Sequence, residues 1–144
     1  MRVALAHDYL TQRGGAERVT LSLHKAFPEA PIYTTLYNPS TTYPEFAAAD
    51  LRVSPINHIR AFRRDHRLAL PLLGAAVERL KVNDADITLA STTAFMHGIT
   101  SRDIPLVVYC HSPARFIYLT DEYLGKPAHR SGMGLGVMSR DVVA

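Results

Sequence analysis

The sequence contains a single cysteine, Cys110, so no internal disulfide framework can form, and a reducing compartment is the simplest setting. No apolar run approaches the ~18 residues of a membrane-spanning helix. The opening run Val3-Ala4-Leu5-Ala6 is too short for the core of a signal peptide. No internal repeat is visible, and no flexible linker interrupts residues 1–124. Charge bias is slight: 16 Lys and Arg against 13 Asp and Glu give a net +3 and a pI near 9.2. Where that excess sits matters more than its size. What remains is an ordinary globular composition, 47% hydrophobic and 20% charged. A chain of 144 residues fits one domain, which buries about two thirds of its unfolded surface without a covalent or metal staple.

Short apolar runs alternate with helical patterns. Val3–Ala6, Ile32–Leu36, Leu51–Val53, Asp86–Ala90 and Pro105–Cys110 read as strands. Ala16, Val19, Leu23, Ala26 and Phe27 share one helical face, and Pro28 stops that helix. Residues 56–67 read as one basic helix. Ala69, Leu72, Leu73, Ala76, Val77 and Leu80 predict another, with Pro71 in its first turn. A further helix is expected after Pro113. The stretch 125–144, with Gly132, Gly134 and Gly136, is poorly patterned. The alternation predicts a single Rossmann-like, three-layer α/β/α domain over residues 1–124 with a mostly parallel sheet. Ligands of such sheets bind beyond the carboxyl ends of the strands, which directs attention to 7–15, 91–98 and 111–115.

Gly14-Gly15 opens the first helix, where free N–H groups and the helix dipole suit a phosphate. The same glycines also fit a plain strand-to-helix turn. A nicotinamide-dinucleotide site is excluded. The loop Gln12-Arg13-Gly14-Gly15-Ala16-Glu17 lacks Gly-x-Gly-x-x-Gly, and no carboxylate closes the second strand. The phosphate loop of nucleoside triphosphatases is absent too.

His111 stands at the end of a strand, where either a ligand or a structural hydrogen bond would engage it. Cys110 and His111 are expected to diverge as neighbours on a strand, with Cys110 a small buried hydrophobe. His7-Asp8 is expected to orient loops through hydrogen bonds; no Cys/His spacing supports a metal site, and none is predicted. Asp84 and Asp86 read as turn residues. Arg60, Arg63, Arg64 and Arg67 recur at i, i+3, i+4 and i+7, which on one helix makes a basic stripe. It is either a solvated face or a surface for anionic lipid or an anionic acceptor. Nucleic acid is not expected, since no aromatic interleaving or binding motif accompanies the stripe.

Three blocks in order resemble family 4 glycosyltransferases of the GT-B fold. The first is His7-Asp8-Tyr9-Leu10 with Gly14-Gly15-Ala16-Glu17-Arg18-Val19. The second is His66-Arg67-Leu68-Ala69-Leu70-Pro71-Leu72, continued by Ala76, Glu78 and Asp86-Ile87-Thr88-Leu89-Ala90-Ser91. The third is Tyr109-Cys110-His111-Ser112-Pro113-Ala114-Arg115 with Tyr123-Leu124. Together they cover about residues 2–124, and they are most similar to the mannosyltransferase-like branch that builds surface polysaccharides and lipid-linked sugars.

The resemblance implies retaining transfer of a sugar from a nucleotide-sugar, GDP- or UDP-linked, to a hydroxyl of a lipid-linked or saccharide acceptor. It implies no cofactor and usually no metal. In such enzymes the N-terminal domain mainly holds the acceptor, and a C-terminal domain with Glu-x7-Glu holds most of the donor. Carried onto this chain, Gly14 and Gly15 would meet the donor phosphates and His111 the transferred sugar. Asp8, Glu17, Ser91 and Arg115 would be further acceptor or donor contacts. Arg60, Arg63, Arg64 and Arg67 fall where some members touch membrane or a phosphate-bearing acceptor. The expected location is cytoplasmic, with peripheral contact at the inner face of the membrane. The sequence ends at Ala144 without the donor domain, so the isolated chain is expected to be nearly inactive. A non-catalytic module binding a membrane or protein through its basic helix is the alternative.

Overall fold

In a computed structural model, residues 1–101 and 103–112 are described. Arg115, the helix expected after Pro113 and the stretch 125–144 lie outside them. The order is β1 (Val3–His7), α1 (Gly15–Ala26), β2 (Ile32–Thr34), β3 (Leu51–Val53), α2 (Arg60–Arg64), α3 (Leu70–Arg79), β4 (Ile87–Thr92) and β5 (Leu106–Cys110). The strands form one sheet in the order β3-β2-β1-β4-β5, and every pairing is parallel. This is a Rossmann-like α/β domain. The chain passes from one side of β1 to the other between β3 and β4, so the switch point lies between β1 and β4.

Central position explains the unbroken apolar run of β1, whose five residues are all buried. Val3 and Leu5 point into a cluster with Leu21, Ile32 and Phe46, on the α1 side. Ala4 and Ala6 point into the opposite cluster, with Val77, Leu80 and Ala90, on the α3 side. The alternation along one strand thus builds both cores and gives three layers. His7 shares the parity of Val3 and Leu5, which directs its side chain toward α1.

Several elements differ from the sequence reading. The buried positions of α1 are Glu17, Thr20 and Leu21, whereas Ala26 is exposed and Val19 half-buried. The helix is turned so that a polar edge enters the core, because Glu17 has a partner there and the Thr20 hydroxyl satisfies itself on the Ala16 carbonyl at 3.1 Å. β2 ends at Thr34, since the next amide, Thr35 N–H, donates to the Asp8 carbonyl.

The single helix expected over 56–67 is three short pieces. A 3-10 turn at Pro55–His58, α2, and a 3-10 turn at His66–Ala69 are separated by extended backbone at Ile59 and Asp65. Asp65 breaks the run because its carboxylate accepts from the Arg67 amide at 3.0 Å, competing with the helical ladder. Leu72 of α3 is exposed; Leu73, Ala76 and Val77 carry its packing. Cys110 is exposed and not buried, because β5 ends the sheet among the described residues.

Candidate functional site

The carboxyl ends of β1, β4 and β5 bring together residues far apart in the chain. Asp8 follows β1 and is buried. Its two oxygens accept from the amides of Thr93 (2.6 Å), Ala94 (3.0 Å), Phe95 (2.8 Å) and Met96 (2.7 Å). The hydroxyls of Thr92 and Thr93 add bonds at 3.1 and 3.3 Å. The loop after β4 is therefore wound around one carboxylate. Charge-assisted bonds of this kind are about twice as strong as neutral ones, and Asp8 organises this loop from within.

His7 pairs in register with Ser91 of β4. Its Nδ1–H donates to the Ser91 carbonyl at 2.8 Å, which fixes the ring and aims Nε2 at Glu17. Nε2 lies 3.8 Å from Glu17 Oε1, and both side chains are 1% exposed. Burial opposes the charge on His7; the Glu17 contact, the charges of Asp8 and Glu17 and the Ser91 carbonyl more than offset this and raise its pKa. Burial likewise pushes Glu17 up, but His7, with smaller help from the Glu17 amide and the Gln12 side chain, outweighs it and holds the carboxyl below its usual range. Both directions favour the charged forms, protonated His7 and ionised Glu17.

The two glycines differ. A Cβ on Gly14 would overlap Glu17 Oε2, so the carboxylate would have to shift from its place beside His7; the Gly14 φ of -94° is open to any residue. A Cβ on Gly15 would meet nothing within 4 Å. Gly15 is exposed at the first turn of α1, so its bare backbone faces open space.

His111 follows β5, and its amide donates to the Thr92 carbonyl at 3.0 Å. Its Nε2 is 2.7 Å from the hydroxyl of buried Ser91, and its ring stands edge-on to Tyr109 at 4.8 Å. Burial lowers its pKa, and the nearby His7 charge lowers it further against the pull of Glu17 and Asp8. The ring is therefore a neutral hydrogen-bonding group at neutral pH. Cys110 turns away, its thiol toward the Ser112 carbonyl at 3.7 Å.

The structure thus brings Asp8, Glu17, Ser91 and His111 to one end of the sheet beside Gly14 and Gly15. Asp8, Glu17 and Ser91 are each 1% exposed or less, with their polar atoms turned to other side chains and backbone. Sequence reasoning missed His7 as a member of this group. The available signal was parity: His7 continues the Val3, Leu5 face of a strand with no exposed side. The loop-orienting hydrogen bonds expected of His7-Asp8 are present at Asp8; that their donors are Thr92–Met96 has no local signal in the sequence.

The arginines are divided. Arg60, Arg63 and Arg64 line a cavity of about 350 Å³ with Asn38, Pro39 and Ser40. Among the described residues these three form no ion pair. Asn38 ties the two walls together: its amide donates to the Arg63 carbonyl at 3.1 Å, and its oxygen accepts from the Ser40 amide at 3.2 Å. Arg67 follows the break at Asp65 and does not line this cavity. Another cavity, about 390 Å³, lies at the opposite end of the sheet, between Met1–Val3 and the Ala26–Pro31 turn, away from these groups. Among the described residues no cluster of three or more His, Cys, Asp or Glu side chains is arranged to hold a metal ion, and no helix is long and apolar enough to cross a membrane.

No curated protein and no solved structure gives a match to the chain. The family model described as Glycosyltransferase Family 4 matches residues 13–135, which include Gly14, Gly15, Glu17, the three cavity arginines, Ser91 and His111. The match covers well over half of the sequence, and the parallel α/β sheet fits it, so the chain belongs to Glycosyltransferase Family 4 and has a general role in glycosyl transfer between a sugar donor and an acceptor.

Proposed function

We propose that this domain is the acceptor-side half of a two-domain, GT-B-type glycosyltransferase that moves a sugar, in the mannosyltransferase-like manner, from a GDP- or UDP-sugar to a hydroxyl of a lipid-linked or polysaccharide acceptor with retention. The observation that carries this reading is the convergence of an open, side-chain-free helix start at Gly15 and a neutral imidazole at His111, both at the carboxyl end of one parallel sheet. The α1 amides suit the donor's phosphates, which gain negative charge as the sugar bond breaks. His111 suits a contact to the transferred sugar, because a neutral imidazole can both donate and accept. A donor-binding domain supplies most of the nucleotide contacts in this reading, and catalysis follows when the cleft closes over both.

The test is transfer and nucleotide-sugar hydrolysis, measured with the 144-residue chain alone and with a matching donor domain added. Turnover is expected only with both. His111→Ala should then abolish most transfer and leave thermal stability nearly intact; an equal loss of both would remove the assigned role.

The arginine cavity favours a specific acceptor feature. Three guanidinium groups around one hollow, without carboxylate partners among the described residues, suit an anionic group, such as a phosphate on the acceptor or its lipid anchor. Peripheral contact with the cytoplasmic face of an anionic membrane follows from this reading. A non-catalytic module that only binds such a surface is the second reading. It predicts vesicle binding without any turnover when the donor domain is supplied.

A further inference from the structure

Two histidines at the end of the sheet hang on one serine by different atoms. His7 Nδ1 donates to the Ser91 carbonyl at 2.8 Å, and His111 Nε2 lies 2.7 Å from the Ser91 hydroxyl. The far side of His7 faces Glu17 at 3.8 Å, and Glu17 in turn packs so closely against Gly14 that an added Cβ would displace its carboxylate. A continuous polar chain therefore runs from the turn that opens α1 to the imidazole after β5. It passes through two side chains that are 1% exposed and a serine that is fully buried.

We propose that Glu17, His7 and Ser91 form a polar relay that ties the Gly14–Gly15 turn to the imidazole of His111, with His7 and Glu17 acting as positioning residues and not as ligand contacts.

Three further observations support the relay. Glu17 Oε2 is buried without a hydrogen-bond partner, and the contact with His7 is the largest of the influences that favour the ionised carboxylate, ahead of its own amide and the Gln12 side chain. The pair sits at the start of α1, where an uncompensated Glu17 charge would compete with any anion approaching the free amides. A protonated His7 cancels that charge while disfavouring a second proton on His111, which agrees with the raised His7 and lowered His111. The groups facing His7 are Glu17 from α1, Asp8 beside it after β1 and His111 after β5. Tyr9 stands 6.5 Å away, ring to ring, and carries His66 stacked on it at 4.1 Å. Asp8 is engaged by the 92–96 loop, so Glu17 is the partner that Nε2 addresses.

The relay rests on the glycosyl-transfer reading only for what Gly15 and His111 receive. Its test uses the ligand-free 144-residue chain and no turnover. Imidazole NMR resonances are followed against pH in the parent and in three variants. His7 should hold its proton to higher pH than a histidine in a model peptide, and His111 should lose its proton at lower pH. Glu17→Gln, which keeps the shape, should bring the His7 midpoint down and displace the Gly14 and Gly15 amide resonances. His7→Gln should raise the His111 midpoint. Ser91→Ala should displace the His111 titration and leave that of His7 in place, because the Ser91 carbonyl remains. If His7→Gln does not fold, the Ser91→Ala and Glu17→Gln arms decide. An unmoved His7 in Glu17→Gln, or an unmoved His111 in the folded His7 and Ser91 variants, would overturn the relay. Absence of transfer by the parent with a donor domain supplied, while the titration links hold, would defeat the glycosyl reading alone.

Discussion

Asp8, after β1, and the arginines of α2 are charges that the molecule treats in opposite ways. Asp8 is buried and takes bonds from four amides and two hydroxyls. Arg60, Arg63 and Arg64 line a hollow whose lining holds no carboxylate among the described residues, and Arg60 and Arg64 are exposed. A charge withdrawn from water must be matched within the protein, because its desolvation costs several kcal/mol. A charge left at the rim of a cavity keeps its water and remains free to exchange it for a ligand. The first kind of charge builds the site; the second kind is available to bind.

The sharpest way to break this comparison is Asp8→Ala. Removing the carboxylate leaves its donors buried without an acceptor, so a loss of about 3–5 kcal/mol is expected in urea unfolding. A loss below about 1 kcal/mol would show that the 92–96 loop holds its shape unaided. Gly14→Ala comes next, at about 1–3 kcal/mol, because the new methyl overlaps Glu17. Gly15→Ala should stay within about 1 kcal/mol of the parent, since its methyl meets open space. Similar losses at the two positions would remove the distinction between a packed and an open glycine.

The pH dependence of stability is a smaller effect with a definite sign. His7 has a raised folded pKa, so its contribution is complete below the unfolded value and fades as pH rises through the folded one. Glu17 has a lowered folded pKa, so its contribution is complete above the unfolded value and fades as pH falls through the folded one. Melting temperature should therefore decline on both sides of a maximum. His7→Gln should flatten the alkaline decline, and a parent that gains stability steadily with rising pH would contradict the ion pair.

Arg63→Glu with Arg64→Glu should change stability least, by about 1 kcal/mol or less in all, since Arg64 is exposed and Arg63 half-buried. The same variant should lose most binding to vesicles of phosphatidylglycerol, and binding by the parent should weaken steeply with salt. Vesicle binding that survives the double variant would place the anionic contact elsewhere.

The fold was legible where the cause is local. The Val3–Ala6 run, the stop at Pro28 and the alternation of strands and helices each follow from neighbouring residues, and the sheet contains all five expected strands. Long-range causes were hidden. Residues 56–67 carry a helical charge repeat, but the Asp65 carboxylate takes the Arg67 amide and interrupts it. The stripe expected from that repeat is consequently a three-arginine cavity plus a separate Arg67. Cys110 has the composition of a buried strand residue, yet strand order places β5 at the edge, and order is a property of the whole sheet. Gly14 and Gly15 looked equivalent as a dipeptide; only the position of Glu17 separates them.

The bonds to Asp8 also set a time at which this end of the molecule can exist. Its partners lie 84 to 88 residues further along the chain. No local segment can assemble them, so the bonded form of the 92–96 loop requires β4 paired with β1. In hydrogen exchange the amides of Thr93 through Met96 should open with the whole sheet and not as a surface loop. Slow exchange at these loop positions would report the integrity of the entire domain.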